Sequence, residues 1–223
     1  MKKILVLIAI LIYSNVLAHM DHYKEYNKIE MEIFRNGELI GYNYYFFTRN
    51  GDETIVTNQI KFSVKLLGAT IFQVEGYGEE KYIKNQLISY ESKTLQNDKE
   101  KFVKLVFDKN KFDIKGSSYS GEASINNIVG NWWSHKILQT DSQISPISGS
   151  IKKQVVTFIG AEKIEQYGKV YSVDRFTLKS KDMTLPKDKR LDFNVWYEPE
   201  TAQIIRVSYS RMGNWEYRLK HFE

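Results

Sequence analysis

The sequence predicts an all-β protein: a strongly curved antiparallel sheet closing into a barrel or half-barrel, with one short irregular or helical insertion around residues 125–140. Three observations predict it. Fifteen Tyr, twelve Phe and four Trp stand against only three Pro, and aromatic and β-branched residues prefer the half-buried pleated surface of a strand. Asn-Gly pairs at 36–37 and 50–51 separate alternating segments, the strongest short-range hairpin signal. Strand-like segments then recur at roughly ten-residue spacing, as in a sandwich or barrel.

The segments follow in order. Asn27 to Arg35 alternates Ile29, Met31 and Ile33 against Glu30 and Glu32, the period of a strand with one wet face. Leu39 to Thr48 sets Ile40, Tyr42, Tyr44 and Phe46 on one face. Glu53 to Leu66 alternates Ile60, Phe62, Val64 and Leu66 against Gln59, Lys61, Ser63 and Lys65. Further strands are expected at Ile71–Tyr77, Lys81–Ile83, Gln86–Thr94, Lys101–Asp108 and Lys111–Lys115. Ser117 to Ser124 reads as a polar loop. Asn126 to Leu138, with Trp132 and Trp133, reads as a short helix or plug. Strands resume at Lys153–Ile159, Gly168–Lys179, Arg190–Tyr197, Gln203–Ser210 and Asn214–Leu219, with lysine-rich Lys179 to Lys189 as an exposed loop. A twisted sheet of this many strands tends to curl, which disposes of its edges. Its interior is expected to be lined by Tyr42, Tyr44, Phe46, Ile60, Phe62 and Val64.

The first eighteen residues give an address. Lys2 and Lys3 precede the apolar run Ile4 to Tyr13, and Ser14-Asn15-Val16-Leu17-Ala18 has the small residues of a cleavage site. A ten-residue apolar core is too short to span a bilayer, so residues 1–18 are expected to be a signal peptide cut after Ala18. Residues 19–223 then form a single domain. Cleavage removes the charges of Lys2 and Lys3, leaving +3 of the formal +5. Lys and Glu alternate instead of clustering, which excludes a nucleic-acid stripe. Cysteine is absent, so neither a disulfide nor a lipidated Cys is available. A free periplasmic location without a transmembrane anchor is expected.

No motif predicts catalysis. There is no G-x-S-x-G elbow, no calcium-ligand spacing and no glycine-rich phosphate loop. Glu79, Glu80, Glu91 and Asp192 could form the carboxylate pair of a glycosidase only if the fold brought them together. After cleavage His19 would be N-terminal, and with His22 it could hold copper; this is the second alternative function. No metal site or cofactor is otherwise expected. The first alternative is a non-catalytic envelope module with a dry core that binds another protein. The leading expectation is a non-enzymatic protein that holds a lipid or other apolar small molecule inside the sheet. Tyr42, Tyr44, Phe46, Phe62, Trp132, Trp133 and Trp196 are its candidate lining, with Trp132 and Trp133 near the mouth.

Several segments in series carry a resemblance: Asn36-Gly37-Glu38-Leu39-Ile40-Gly41, Lys61 to Gly68, Glu80-Lys81-Tyr82 running to Leu87, and Glu91-Ser92-Lys93-Thr94. The Trp133 segment and Asn194-Val195-Trp196-Tyr197-Glu198 complete it. The chain resembles a family of small bacterial periplasmic proteins known only as a domain of unknown function. It departs from the family pattern at Tyr82, where a Trp is usual, and at Glu198, where an Asp is usual. The resemblance implies a curved antiparallel sheet, similar in layout to half-barrel carriers of lipids or lipoprotein tails. It implies no activity, because fold alone does not fix function.

Overall fold

A computed structural model describes Tyr23 and residues 25–223. The expected signal peptide, Met1–Ala18, and both His19 and His22 lie outside the described residues. Two meanders of strands build the molecule. The first runs β1 (Lys28–Arg35), β2 (Glu38–Asn50), β3 (Glu53–Leu66), β4 (Ala69–Ile83), β5 (Gln86–Gln96), β6 (Lys99–Asp108), β7 (Lys111–Gly116) and β8 (Ser120–Ser124). An insertion follows, with β9 (Ile128–Val129), a 3-10 turn at His135–Leu138 and β10 (Ser142–Ile144). The second meander is β11 (Ile151–Gln166), β12 (Lys169–Ser180), β13 (Asp192–Glu198), β14 (Gln203–Ser210) and β15 (Asn214–Phe222).

Among the described residues all fifteen strands belong to one sheet, ordered β8-β7-β6-β5-β4-β3-β2-β1-β15-β14-β13-β12-β11-β10-β9. Pairing of β1 with β15 joins the meanders, and among the described residues only β9 with β10 is parallel. The sheet is curved but not closed, because β8 and β9 share no ladder. Yet these edge strands are consecutive in the chain. Residues 125–127 alone connect them, so Ser124 and Ile128 lie within roughly 14 Å of each other. Connectivity therefore forces the sheet to curl until its edges face across a narrow seam. Both edges are short, which limits pairing with other chains.

The expected architecture holds, and four local expectations change. Residues 71–77 and 81–83 belong to one strand, β4, whose ladder runs on through Gly78. Ser117 to Ser124 is not all loop, since β8 pairs with β7 despite its polar composition. Residues 160–166 extend β11, and Ser142–Ile144 forms β10; neither was expected as strand.

The far half of the β11–β12 hairpin has an unexpected position. β12 pairs with β13 only over Asp174–Lys179, and the register shifts between Phe158 and Gly160. Beyond that bulge the hairpin folds over the outer face of β13, β14, β15 and β1. Gln166 Nε2 donates to the carbonyls of Ile205 (3.1 Å) and Leu219 (2.8 Å). Ile205 lies at a register irregularity between β13 and β14, and Leu219 beside one between β1 and β15. Such bulges leave ladder groups unpaired, and Gln166 caps these two. Tyr167 donates to Glu32 (2.5 Å).

Three apolar clusters fill the interior. The largest joins Tyr23, β1–β3 and β12–β15 around Trp133 and Ile137 of the insertion. A second joins β5–β8 to Val129 and Ile144. The third sets Ile33, Phe62, Val64, Val74 and Trp215 together.

Candidate functional site

The insertion enters the curled sheet as a plug, held by polar contacts from several strands. Glu80 on β4 is 3% exposed and accepts from Tyr82 Oη (2.5 Å), Asn131 Nδ2 (2.7 Å) and Trp133 Nε1 (2.8 Å). Burial raises its pKa above the ordinary carboxylate value, opposed by those three donors and by Lys136. Tyr45 on β2 accepts from the backbone N–H of Trp132 (3.1 Å). On the N-terminal side, the Tyr23 hydroxyl lies 2.7 Å from His135 Nδ1 and accepts from the His135 backbone N–H (3.0 Å). Gln154 on β11 donates to Ile137 O (2.8 Å) and Thr140 O (3.0 Å). A buried segment without regular structure must find such partners for its backbone groups.

Above the plug the interior is open. A pocket of about 1100 Å³ runs from Tyr45, Gly130, Asn131, Trp132 and Gln143 to the sheet end that carries the 97–98 and 211–213 turns. Its two walls differ chemically. The wall from β2–β5 presents Asn43, Asn58, Ser92 and Thr94 beside Ile60 and Gly76. The opposite wall, from β13–β15, presents Phe193, Tyr209 and Tyr217. Lys101, Lys179, Lys187, Lys189, Arg190 and Arg211 surround the mouth, with Asp188 and Asp192 among them.

The polar wall is internally bonded. Asn43 donates to Tyr45 Oη (2.8 Å) and accepts from Asn58 Nδ2 (2.6 Å). Ser92 and Tyr90 both donate to Pro146 O, at 2.6 and 2.9 Å. This ties the segment after β10 to the wall. Burial pushes the Tyr217 phenol up to about 12 and raises those of Tyr45 and Tyr209 further. All three are neutral hydroxyls at physiological pH.

The aromatic residues expected to line the interior are mostly elsewhere. Tyr42, Tyr44 and Phe46 pair with Lys61, Gln59 and Thr57 on the outer face. There Tyr42 and Tyr44 stack at 4.4 Å and Lys28 lies over Tyr44 and Phe46. Asn43, Tyr45 and Phe47 are the inward residues, opposite Ile60, Asn58 and Val56. Both faces of β2 carry aromatics, so apolar alternation in one strand does not choose between them; the partner strand does. Trp196 is also outside, because Phe193 and Val195 take the inward positions. Its ring lies beneath Arg175 (5.1 Å) and Arg206 (5.9 Å), and its Nε1 donates to Glu162 (2.5 Å). Phe62 does point inward, but packs on Trp215 (5.5 Å) and Phe72 (5.8 Å) instead of lining the pocket. Trp133 lies beneath the pocket, not near the mouth, edge-on to Tyr23, Phe47 and Tyr82. Of the seven candidates only Trp132 reaches the pocket, 5.1 Å from Phe193.

Of the carboxylates considered, Glu80 alone is buried. Glu91 pairs with Lys104 at 2.9 Å on the outer face, Glu79 stands opposite it, and Asp192 is exposed. Among the described residues no group of three His, Cys, Asp or Glu could hold a metal ion. The pocket's polar wall was missed because Asn, Ser and Thr in strands read as solvent-facing. One signal was present: Gly76 and Gly78 stand two apart inside a strand, and strand glycines mark close approach or open space. A Cβ on Gly76 would sit 3.0 Å from both Ile60 and Thr94.

Geometry thus defines a curved antiparallel β-sheet protein with an internal plug and an open, two-sided pocket. The model of the family described as Domain of unknown function (DUF6134) matches residues 31–220, and the chain belongs to that family. No curated protein matches it.

Proposed function

We propose that the protein is a non-catalytic, periplasmic binding protein that holds one elongated amphiphilic molecule in the pocket above Trp132. One observation carries this reading: an interior volume of about 1100 Å³ with an aromatic wall facing an amide and hydroxyl wall. Small-molecule sites are mostly apolar hollows with a few convergent polar groups, up to roughly 1,000 Å³. An apolar body would lie on Phe193, Tyr209, Tyr217 and Trp132. Polar groups would meet Asn58, Thr94 and the cationic mouth. Residues 1–18 support the compartment, having the layout of an export signal.

Native mass spectrometry of the protein, exported with its own N terminus and gently recovered, tests this. The expected result is a chain beginning at His19 that carries one added mass of amphiphile size. Trp132→Ala should lower its occupancy about tenfold, as losing one buried aromatic contact does, while Tyr42→Ala on the outer face leaves it unchanged. A bare chain that also fails to take up a fluorescent fatty acid would overturn the reading.

A further inference from the structure

Among the described residues, the two most exposed large apolar side chains share a place, a backbone conformation and a neighbour. Leu67 is 100% exposed and Met212 is 88% exposed. Both have positive φ, +51°, and both precede a glycine in a hairpin turn. Of the other turns of this backbone sign, those at Asn36, Lys84, Asn97 and Lys109 carry polar residues, while Tyr167 is held by its hydrogen bond to Glu32 and Ala202 is buried. Asn tolerates this conformation, whereas Leu and Met are strained by it. In water Leu67 and Met212 therefore combine backbone strain with exposed apolar surface and gain no packing.

Both turns stand at the mouth end of the sheet. The β3–β4 turn adds Leu66 (60% exposed) and Ile71 (50%), and the β1–β2 turn adds Leu39 (52%). These three hairpins are neighbours in the strand order, and centres two strands apart lie roughly 10 Å from each other. At the opposite end the turns at 51–52, 84–85 and 109–110 are polar. Cations stand near the apolar tips at the same end: Lys65, Lys99, Lys101, Lys187, Lys189 and Arg211, interspersed with Asp98, Glu100 and Asp188.

We infer that the mouth end docks on an anionic lipid bilayer, with the Leu66-Leu67 and Met212 tips inserted at headgroup depth. Separate apolar tips with cations near them suit an interface that admits each tip independently and attracts the cations. A protein partner would instead need one contiguous, complementary patch. Docking in this orientation faces the pocket mouth toward the lipid, but the inference stands on the turns alone and holds whether or not the pocket is occupied.

Vesicle flotation tests it, with equal phosphatidylglycerol and phosphatidylcholine compared against phosphatidylcholine alone. All variants carry the same N terminus, fixed by mass, so the Ile4–Tyr13 run contributes equally. Wild-type protein should float with the anionic vesicles at low salt, and less as salt rises. Leu67→Asn should reduce flotation about tenfold, the value of burying one leucine. Its urea midpoint should stay or rise, because Asn fits a φ of +51°; loss of binding is then not loss of fold. Lys187→Gln with Lys189→Gln should weaken binding only to the anionic vesicles. Leu67→Asn that floats like wild type, or wild type that ignores anionic vesicles at low salt, overturns the docking inference and leaves the pocket reading untouched.

Discussion

The plugged and open parts of the interior are walled by the same sheet, yet one is core and the other is space. Beneath Trp132, Tyr45 and Phe47 of β2 meet a segment that supplies Trp133 and Ile137, and nearly every contact is apolar or a buried hydrogen bond. Above it, Asn43, Asn58, Ser92 and Thr94 occupy inward positions, and Gly76 supplies no side chain at all. Register irregularities occur at both levels, so strand regularity does not separate them. What differs is whether the insertion reaches them. Above the plug the walls fill only part of the interior by themselves, where Ile33, Phe62, Val64, Val74 and Trp215 pack together; over the rest of this wide curled sheet the depth reached by the plug sets where core ends and pocket begins.

Breaking the plugged part should have the largest effect. Trp133→Ala removes a fully buried indole and one Glu80 partner, and should cost about 4 kcal/mol of unfolding free energy, read from urea denaturation. Trp132→Ala, half-buried at the boundary, should cost less than half as much and act on pocket occupancy instead.

Glu80→Ala should cost about 3 kcal/mol, since it strands three buried donors. Glu80→Gln sharpens the point through pH. Burial raises the folded pKa of Glu80, so the native state keeps a proton that the unfolded chain has released. Stability due to this group should therefore fall as pH rises from the ordinary carboxylate value through the raised one. Glu80→Gln should flatten that fall in a series of urea midpoints.

At the boundary, Tyr45→Phe leaves the Asn43 amide and the Trp132 N–H without their acceptor. About 1.5 kcal/mol should be lost, with a shift in Trp fluorescence reporting a displaced Trp132. On the outer face Tyr44→Thr should change stability by only about 0.5 kcal/mol. A large loss there would mean that the outer aromatic row carries a packing role its half-exposed geometry does not suggest.

Much of this was legible in the chain. Asn36-Gly37 and Asn50-Gly51 mark hairpins that form, and β3 keeps Ile60, Phe62 and Val64 inward as its alternation indicates. Residues 125–140 are irregular, as their mixed composition suggests. The lining was not legible, because Tyr42, Tyr44 and Phe46 look more like an interior than Asn43, Tyr45 and Phe47 do. Nor was the fold-back of β11–β12, which depends on carbonyls of Ile205 and Leu219 left free by irregularities in distant strand pairs.

The sequence by itself determined the class, the strand segments and most of the turns. Those follow from backbone preferences and side-chain alternation, which act between residues close in the chain. Only the tertiary structure decided which face of β2 turned inward, how deep the plug reached and where polar side chains could be buried. Each of those depends on partners that lie far away in sequence: Glu80 for Trp133, Asn58 for Asn43, Pro146 for Ser92. A buried polar group is stable only when its partner arrives, and no local pattern records that arrival.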